Sequence, residues 1–246
     1  MSLALRGVSK TFAGGIQALA PIDLNVANGS FISIVGPSGC GKSTLLRLIA
    51  GLSPPTGGQT ERADAAPHDT SFVFQDATLM PWATAADNVA LPLRLTDEAA
   101  VDQRVGEALA RVGLTGFAGT YPRALSGGMR MRVSIARAIV TQPRLLLMDE
   151  PFAALDEFTR FKLNDDLIAL WQKNRWTVIF VTHSIREAVF LSERVIVMSP
   201  RPGRIIADIA IDLPSRHADV RLGHAFADQC AAVSFVLAAA MGSEAA

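Results

Sequence analysis

Residues 36–44, GPSGCGKST, have the residue types and spacing of a loop that binds phosphate. The apolar run FISIV precedes the loop and a helical pattern of leucines follows it, so the glycines fall between a strand and a helix. Backbone N–H groups of such a loop, with the helix N-terminus, can surround phosphate oxygens. Lys42 would neutralise the charge of the β- and γ-phosphates, and the Ser43 hydroxyl would bind Mg²⁺. The predicted contacts to a nucleoside triphosphate are Gly36, Pro37, Ser38, Gly39, Cys40, Gly41, Lys42, Ser43 and Thr44.

Two acidic residues follow the apolar strand RLLLM, and in open α/β sheets nucleotides bind at such strand ends. Asp149 suits the coordination of Mg²⁺, and Glu150 can accept a proton from the attacking water as a general base. His183 follows the strand TVIFV and could contact the γ-phosphate. Alone, an acidic pair is typical of a solvated turn and a histidine of a structural cap. Together with the upstream loop, they indicate a P-loop NTPase.

The segment LSGGM, residues 125–129, predicts a second site for phosphate. Ser126 would cap a helix whose first turn is Gly127-Gly128, so that a hydroxyl and unobstructed N–H groups point outward. The chain offers no second nucleotide loop to fill this site. Two copies facing each other would fill it, if the Ser126 helix of each copy closes on the γ-phosphate held by the other.

These motifs, in this order, resemble the ATP-binding subunits of ABC transporters over nearly the whole chain. The resemblance implies that ATP and Mg²⁺ are the cofactors and that Phe12 stacks on adenine. Gln75 matches the residue that joins Mg²⁺ or the attacking water to the transmembrane subunit, and Asp156 matches the carboxylate that communicates across the dimer. Met129, where the family usually has Gln, and Ala153-Ala154, where Ser is usual, depart from the family pattern without removing a phosphate ligand.

A finer resemblance lies in residues 74–93, FQDATLMPWATAADNVALPL, together with LSGGM and with residues 199–205, SPRPGRI. These segments are similar to the importer ATPases for nitrate, sulfonates and taurine, a group that includes importers of a pyrimidine thiamine precursor. That group implies a homodimer bound to two transmembrane permease subunits at the cytoplasmic face of a bacterial inner membrane, served indirectly by a periplasmic solute-binding protein. Trp82 would anchor the permease, the alternative being a place in the core.

The pattern of elements predicts an α/β fold: a P-loop NTPase (RecA-like) core with an N-terminal antiparallel β subdomain and an inserted helical subdomain. Helices are expected from the apolar spacing of residues 101–112, 129–140 and 157–173, whereas residues 53–70 have the composition of a loop. A C-terminal amphipathic helix is expected from Leu222, Phe226, Cys230, Val233 and Leu237. The expected segments are 1–30 and 57–71 for the β subdomain, 31–56, 72–84 and 141–213 for the core, 85–140 for the helical subdomain and 214–246 for the extension.

Composition excludes several classes of protein. The 246 residues carry 23 basic and 23 acidic side chains, which argues against nucleic acid as a partner. No run of about 18 apolar residues indicates a membrane span, and two distant cysteines suit a reducing compartment. The helix N-terminus is expected to activate the Cys40 thiol. A soluble ABC ATPase of DNA repair or translation, and an inactive cassette, are the alternatives outside transport; intact Lys42, Asp149, Glu150 and His183 argue against the second.

Overall fold

The computed structural model describes residues 3–62, 69–96, 98–214 and 216–242. The chain divides into two compact units, residues 1–65 with 175–246 and residues 66–174, called unit 1 and unit 2 below. The strands are β1 (Leu3–Thr11), β2 (Gln17–Val26), β3 (Phe31–Val35), β4 (Gly57–Arg62), β5 (Thr70–Val73), β6 (Leu145–Asp149), β7 (Thr177–Val181), β8 (Arg194–Met198) and β9 (Ile205–Ala210). The α-helices are α1 (Lys42–Ala50), α2 (Ala85–Leu95), α3 (Val101–Arg111), α4 (Gly127–Ile139), α5 (Glu157–Asn174), α6 (Ile185–Leu191) and α7 (His224–Gly242).

In unit 1, β1 pairs antiparallel with β2 on one side and with β4 on the other. Strand β2 alternates, with Ile22, Leu24 and Val26 buried between exposed neighbours, so one face of this sheet supplies core. Strand β4, of sequence GGQTER, corrects the expectation that residues 53–70 are mostly loop. Its polar composition hides the strand, because β1 supplies the hydrogen-bond ladder from a distant part of the sequence. Residues 63–68 of the expected β segment 57–71 lie outside the described residues. Residues 1–2, 97, 215 and 243–246, in other expected segments, lie outside them too.

The second set of strands in unit 1 runs in the order β7-β3-β8-β9, parallel for the first three and antiparallel for β9. Every residue of β3 and β7 is buried, as expected for parallel strands covered on both faces. Ile34 lies opposite Val181 in the register of this pair. The loop that follows β3 and the turn that follows β7 therefore leave the same edge of the sheet. That edge carries residues 36–44 and His183.

Unit 2 contains the parallel pair of β5 with β6 and a group of helices formed by α2, α3 and α4. The periodicity predictions for α3, α4 and α5 are confirmed, with starts and ends within two residues of the expected ones. Val105, Ala108 and Leu109 bury one face of α3, as their spacing requires. The mixed α/β class with an antiparallel β subdomain and an inserted helical part is confirmed. The exact bounds of the subdomains stay a prediction.

Within unit 1, the C-terminal helix α7 packs near α6, β8 and β9, and its Phe226 and Val233 are buried. Leu222 does not share this face: it lies in a 3₁₀ turn before the helix and is 91 % exposed, which corrects its place in the expected stripe. By length and composition alone, His224–Met241 is apolar enough to cross a membrane, with a mean hydropathy of 1.3. The buried share of this window is 11 %, and Phe226 and Val233 are its buried residues.

Candidate nucleotide-binding site

Residues 36–44 connect β3 to α1, which is the strand, loop and helix order that the sequence predicts. Gly41 precedes the first turn of α1 with φ of 106°, and a Cβ there would lie 2.6 Å from Leu19 Cδ2. Both the positive φ and the close approach of β2 require glycine at this position. The loop backbone is thus held in the shape that turns N–H groups towards an anion.

Lys42 is buried and its ammonium stays within the loop. Its Nζ donates hydrogen bonds to the carbonyl oxygens of Gly36 at 2.9 Å and Pro37 at 3.1 Å. A charge held by carbonyls of the loop itself is already desolvated where phosphates would bind, so a phosphate exchanges one set of oxygen partners for another. The geometry supports the predicted role of Lys42.

The expected reactivity of the Cys40 thiol is contradicted. Cys40 is 1 % exposed, and its Sγ lies on the inner side of the loop, 2.9 Å from where a Cβ on Gly36 would be. A thiol without access to solvent does not meet an alkylating reagent, whatever the helix N-terminus contributes. Cys40 can serve phosphate binding only through its backbone.

His183 has a fixed backbone and an exposed side chain. On one side, the buried Thr182 hydroxyl donates to Glu187 Oε2 at 2.5 Å and accepts from the N–H of Ser184 at 3.0 Å. On the other side, the hydroxyl of Ser184 caps α6 by accepting from the N–H of Glu187. These bonds close the turn around His183, whose side chain is exposed.

Phe12 lies in the connection between β1 and β2, where its N–H donates to the carbonyl of Ile16 at 2.9 Å. The ring is 47 % exposed, and the ammonium of Lys10 lies 5.4 Å from its centroid. An exposed aromatic ring in a loop is available for stacking, which is what the predicted contact with adenine needs.

In unit 2, the apolar strand β6 ends at the buried Asp149, and Glu150 follows with φ of 46°. A residue other than glycine in the left-handed region costs about 1–2 kcal/mol, and such strain is typical of functional positions. The Glu150 carbonyl accepts from the N–H of Ala153 at 3.2 Å, which holds the turn. The carboxylate pair therefore sits at the end of a strand, as predicted.

The LSGGM segment also adopts its predicted local structure. Ser126 is the N-cap of α4, its hydroxyl accepting from the N–H of Met129 at 3.3 Å. Gly127 is exposed, and a Cβ on Gly128 would lie 2.6 Å from Thr159 Cγ2. A side chain at Gly128 would collide with Thr159, whereas Gly127 leaves the first turn of α4 uncovered, so the N–H groups of the helix start stay accessible.

Asp156 precedes α5 and is exposed, and its Oδ1 accepts from the N–H of Thr159 at 3.0 Å. Hydrogen bonds from the backbone and side chain of Thr159 lower the pKa of Asp156 below its usual value. In the single chain Asp156 therefore caps a helix, and its predicted role across a dimer stays a prediction.

Gln75 follows β5 and is exposed, at the start of a loop that reaches α2 at Ala85. Two side chains that the sequence analysis missed hold this loop. The guanidinium of Arg137 donates to the carbonyls of Ala77 and Thr78, and the fully buried Asn88 bonds both the N–H and the carbonyl of Met80. Asn88 also donates to the carbonyls of Ala83 and Thr84. The signal was an asparagine on the apolar face of α2, beside the buried Val89 and Leu93, because a buried amide needs polar partners.

Comparison with known proteins decides the family. A family model described as "ABC transporter" matches residues 19–153, more than half of the chain. The chain belongs to the ABC transporter family. This ABC protein is an ATPase, and ATP is its ligand.

Relatives cover most of the ABC protein. An aliphatic sulfonates import ATP-binding protein, SsuB 1, of Pseudomonas savastanoi pv. phaseolicola is 46 % identical over 205 residues, covering 83 % of each chain. The SsuB protein of Bacillus cereus strain ZK is 43 % identical over 221 residues, covering 87 % of this chain and 88 % of its own. A solved dimeric post-hydrolysis state of the ATP-binding cassette MJ0796 with ADP and Pi is 36 % identical, with a TM-score of 0.76 over 86 % of this chain and 99 % of that one.

Each unit of the ABC protein carries part of the predicted site. Unit 1 places Phe12, residues 36–44 and His183, the last two at one edge of one sheet. Unit 2 places the carboxylate pair 149–150 and the helix start at 126–128. Thr182, Glu187, Asn88 and Arg137 are the supporting residues that the sequence analysis did not single out.

We predict that Thr182→Val lowers the rate of ATP hydrolysis several-fold and destabilises the ABC protein by about 1–3 kcal/mol, because a buried hydrogen-bonding hydroxyl is lost. Thr182→Ser is the matched control, since it keeps the hydroxyl, and it should stay close to wild type. Thermal unfolding and steady-state hydrolysis measure the two effects. Equal activity of the valine and serine variants would show that this hydroxyl does not hold the His183 turn.

Proposed function

We propose that this ABC ATPase energises the import of an aliphatic sulfonate. The observation that carries the proposal is 43–46 % identity over most of the chain to proteins named for the import of aliphatic sulfonates. Nitrate, taurine and a pyrimidine thiamine precursor remain the alternative solutes that the sequence resemblance allows. Solute is selected by other chains of an importer, so this subunit supplies the energy.

The proposed chemistry begins with ATP in the loop of residues 36–44. The backbone N–H groups of the loop and the ammonium of Lys42 bind the phosphates, and Glu150 accepts the proton of the attacking water. His183 contacts the γ-phosphate from the same sheet edge as the loop, and Gln75 links Mg²⁺ or the attacking water to the transmembrane subunit. These roles are supported by the buried ammonium, the strained Glu150 backbone and the fixed turn of His183.

Mg²⁺ is the proposed metal. The donors available are the hydroxyl of Ser43, the carboxylate of Asp149 and the amide oxygen of Gln75, which are hard oxygen ligands of the kind Mg²⁺ prefers. Asp149 is buried at the end of β6, so its carboxylate gains from a cation nearby. When bound, Mg²⁺ would neutralise phosphate charge.

Two copies of the ATPase are proposed to close on two nucleotides. The capped helix start at Ser126–Gly128 offers the positive end of α4 to an anion, since the first turn of α4 has no acidic side chain. Solved relatives include dimeric cassettes, one of them bound to ADP and Pi. Asp156 is proposed to communicate with the facing copy across the dimer.

The proposed partners are two permease subunits, reached from the cytoplasmic face of a bacterial inner membrane, and indirectly a periplasmic solute-binding protein. Trp82 supports this surface, because it is 77 % exposed on a loop that the buried Asn88 holds by four hydrogen bonds. A large exposed aromatic on a fixed backbone is the residue type that dominates interfaces. The core alternative for Trp82 is wrong. The balanced charge leaves nucleic acid out of the proposal.

We predict that Glu150→Gln slows ATP hydrolysis by about 10²–10⁴-fold, because the amide keeps the shape of the carboxylate and accepts no proton. ATP would then persist, so the variant should form a stable dimer with ATP and a monomer without it. Glu157→Gln, the same change at an exposed residue of α5, is the control. Hydrolysis assays and sizing by light scattering measure both.

The double variant Glu150→Gln with Ser126→Arg separates the two halves of this mechanism. A bulky side chain at the helix start should block the phosphate of the facing copy and restore the monomer. A wild-type rate for Glu150→Gln contradicts the general base, and a monomer at saturating ATP contradicts the shared sites.

We predict that Trp82→Ala weakens binding to the permease subunits by about tenfold or more, as expected for an interface anchor, and leaves ATP affinity unchanged. Phe158→Ala, which removes another exposed ring, is the matched control and should bind normally. Binding to permease subunits reconstituted in nanodiscs, and nucleotide titration of the isolated ATPase, test the two statements. Normal docking of Trp82→Ala removes this residue from the proposed interface.

The solute is tested in cells that depend on this ATPase. Lys42→Ala should abolish uptake of a labelled alkanesulfonate and leave nitrate uptake intact, whereas Arg47→Ala, an exposed residue of α1, should change neither. If Lys42→Ala instead abolishes uptake of nitrate or of the pyrimidine and preserves sulfonate uptake, the transported solute is a different one.

A further inference from the structure

The segment SPRPGRI, residues 199–205, takes no part in the chemistry described above, yet it lies directly against the phosphate loop. It follows β8, and the N–H of Gly203 donates to the carbonyl of Ala18 at 2.9 Å while its carbonyl accepts from Ala20 at 3.1 Å. A Cβ on Gly203 would lie 2.1 Å from the carbonyl oxygen of Cys40. The absence of a side chain at this position therefore lets the segment touch the backbone of the loop.

Arg201 makes the second contact of this segment with the loop. Its Nη2 lies 3.1 Å and its Nε 3.3 Å from the carbonyl oxygen of Gly39. Gly39 has φ of 76°, and a Cβ there would stand 3.5 Å from Nη2. One guanidinium thus holds one carbonyl oxygen with two donors, across 162 residues of sequence.

The contact between Arg201 and the Gly39 carbonyl matters because of how the loop binds phosphate. A loop that binds phosphate through N–H groups has to keep its carbonyl oxygens away from the anion, because their partial negative charge repels it. Lys42 occupies the carbonyls of Gly36 and Pro37, and the N–H of Cys40 also donates to Pro37. The carbonyl of Gly39 is occupied by Arg201.

We propose that Arg201 is a positioning residue of the phosphate loop, which orients the peptide after Gly39 so that its carbonyl faces the 199–205 segment and the N–H groups face ATP. The inference rests on ATP binding at residues 36–44. Arg201 acts through the loop backbone and is exposed, so it contributes little to the stability of the fold. Its effect should fall on nucleotide affinity.

The same segment provides a matched control. Arg204 is also exposed and carries the same charge three residues away. Its backbone bonds to Ser199: the N–H of Arg204 donates to the Ser199 hydroxyl, and its carbonyl oxygen accepts from the N–H of Ser199. Arg204→Ala removes a positive charge near the loop without removing the contact with Gly39. Arg201→Lys does the reverse: it keeps the charge and loses the two-donor geometry.

The experiment measures ATP affinity of the full chain by isothermal titration, together with KM, kcat and thermal unfolding. We expect Arg201→Ala to weaken ATP binding about 5- to 20-fold, the loss of a charged hydrogen bond at a partly screened site, and to raise KM with kcat nearly constant. Arg201→Lys should recover part of the affinity, Arg204→Ala should match wild type, and the melting temperature should stay unchanged in all three.

Three results would overturn the proposal: wild-type affinity in Arg201→Ala, an equal loss in Arg204→Ala, or full recovery in Arg201→Lys, since the last two point to charge alone. A large fall in the melting temperature of Arg201→Ala would assign it a structural role instead. Lys42→Ala reports on the site itself. If wild-type protein fails to bind ATP, or binds it as well as Lys42→Ala does, the proposed nucleotide site fails independently of Arg201.

Discussion

The loop of nine residues between β3 and α1 must present N–H groups to a polyanion, so its carbonyl oxygens must face away from that anion and bond to donors. Glycine supplies the backbone shape, and the close approach of Leu19 and Gly203 permits no side chain at either contact. Lys42, within the loop, and Arg201, in the segment after β8, donate hydrogen bonds to these carbonyl oxygens. The surrounding strands are arranged so that these donors reach the loop.

The parallel pair of β3 and β7 extends this constraint to a second group. Because both strands are buried along their whole length, their relative register is fixed, and the residues that follow them emerge together. The Thr182 hydroxyl, on the residue before His183, then bonds Ser184 and Glu187, which follow it, so the turn that carries the exposed side chain of His183 is held. Thr182 is therefore a buried polar residue whose hydroxyl positions His183, at a place in the core where an apolar side chain would otherwise pack.

Local patterns carried most of what the sequence analysis predicted. The strand, loop and helix around residues 36–44 and the N-cap at Ser126 depend on neighbours within a few residues, and both are confirmed. Strand β4, the burial of Cys40 and the contact of Arg201 with Gly39 depend on partners far along the chain, and these were missed or misjudged. Periodicity and composition hold no information about which distant backbone a polar strand or an arginine will meet.

The distribution of tryptophan gives the protein a property beyond its chemistry. Trp171 and Trp176 are buried, whereas Trp82 stands in solvent on the loop that Asn88 fixes. An aqueous quencher such as iodide reaches one of these three indoles, and that indole has the reddest emission because water surrounds it. The intrinsic tryptophan fluorescence of the unlabelled subunit therefore shows whether the surface around Trp82 is exposed to water or covered by a binding partner.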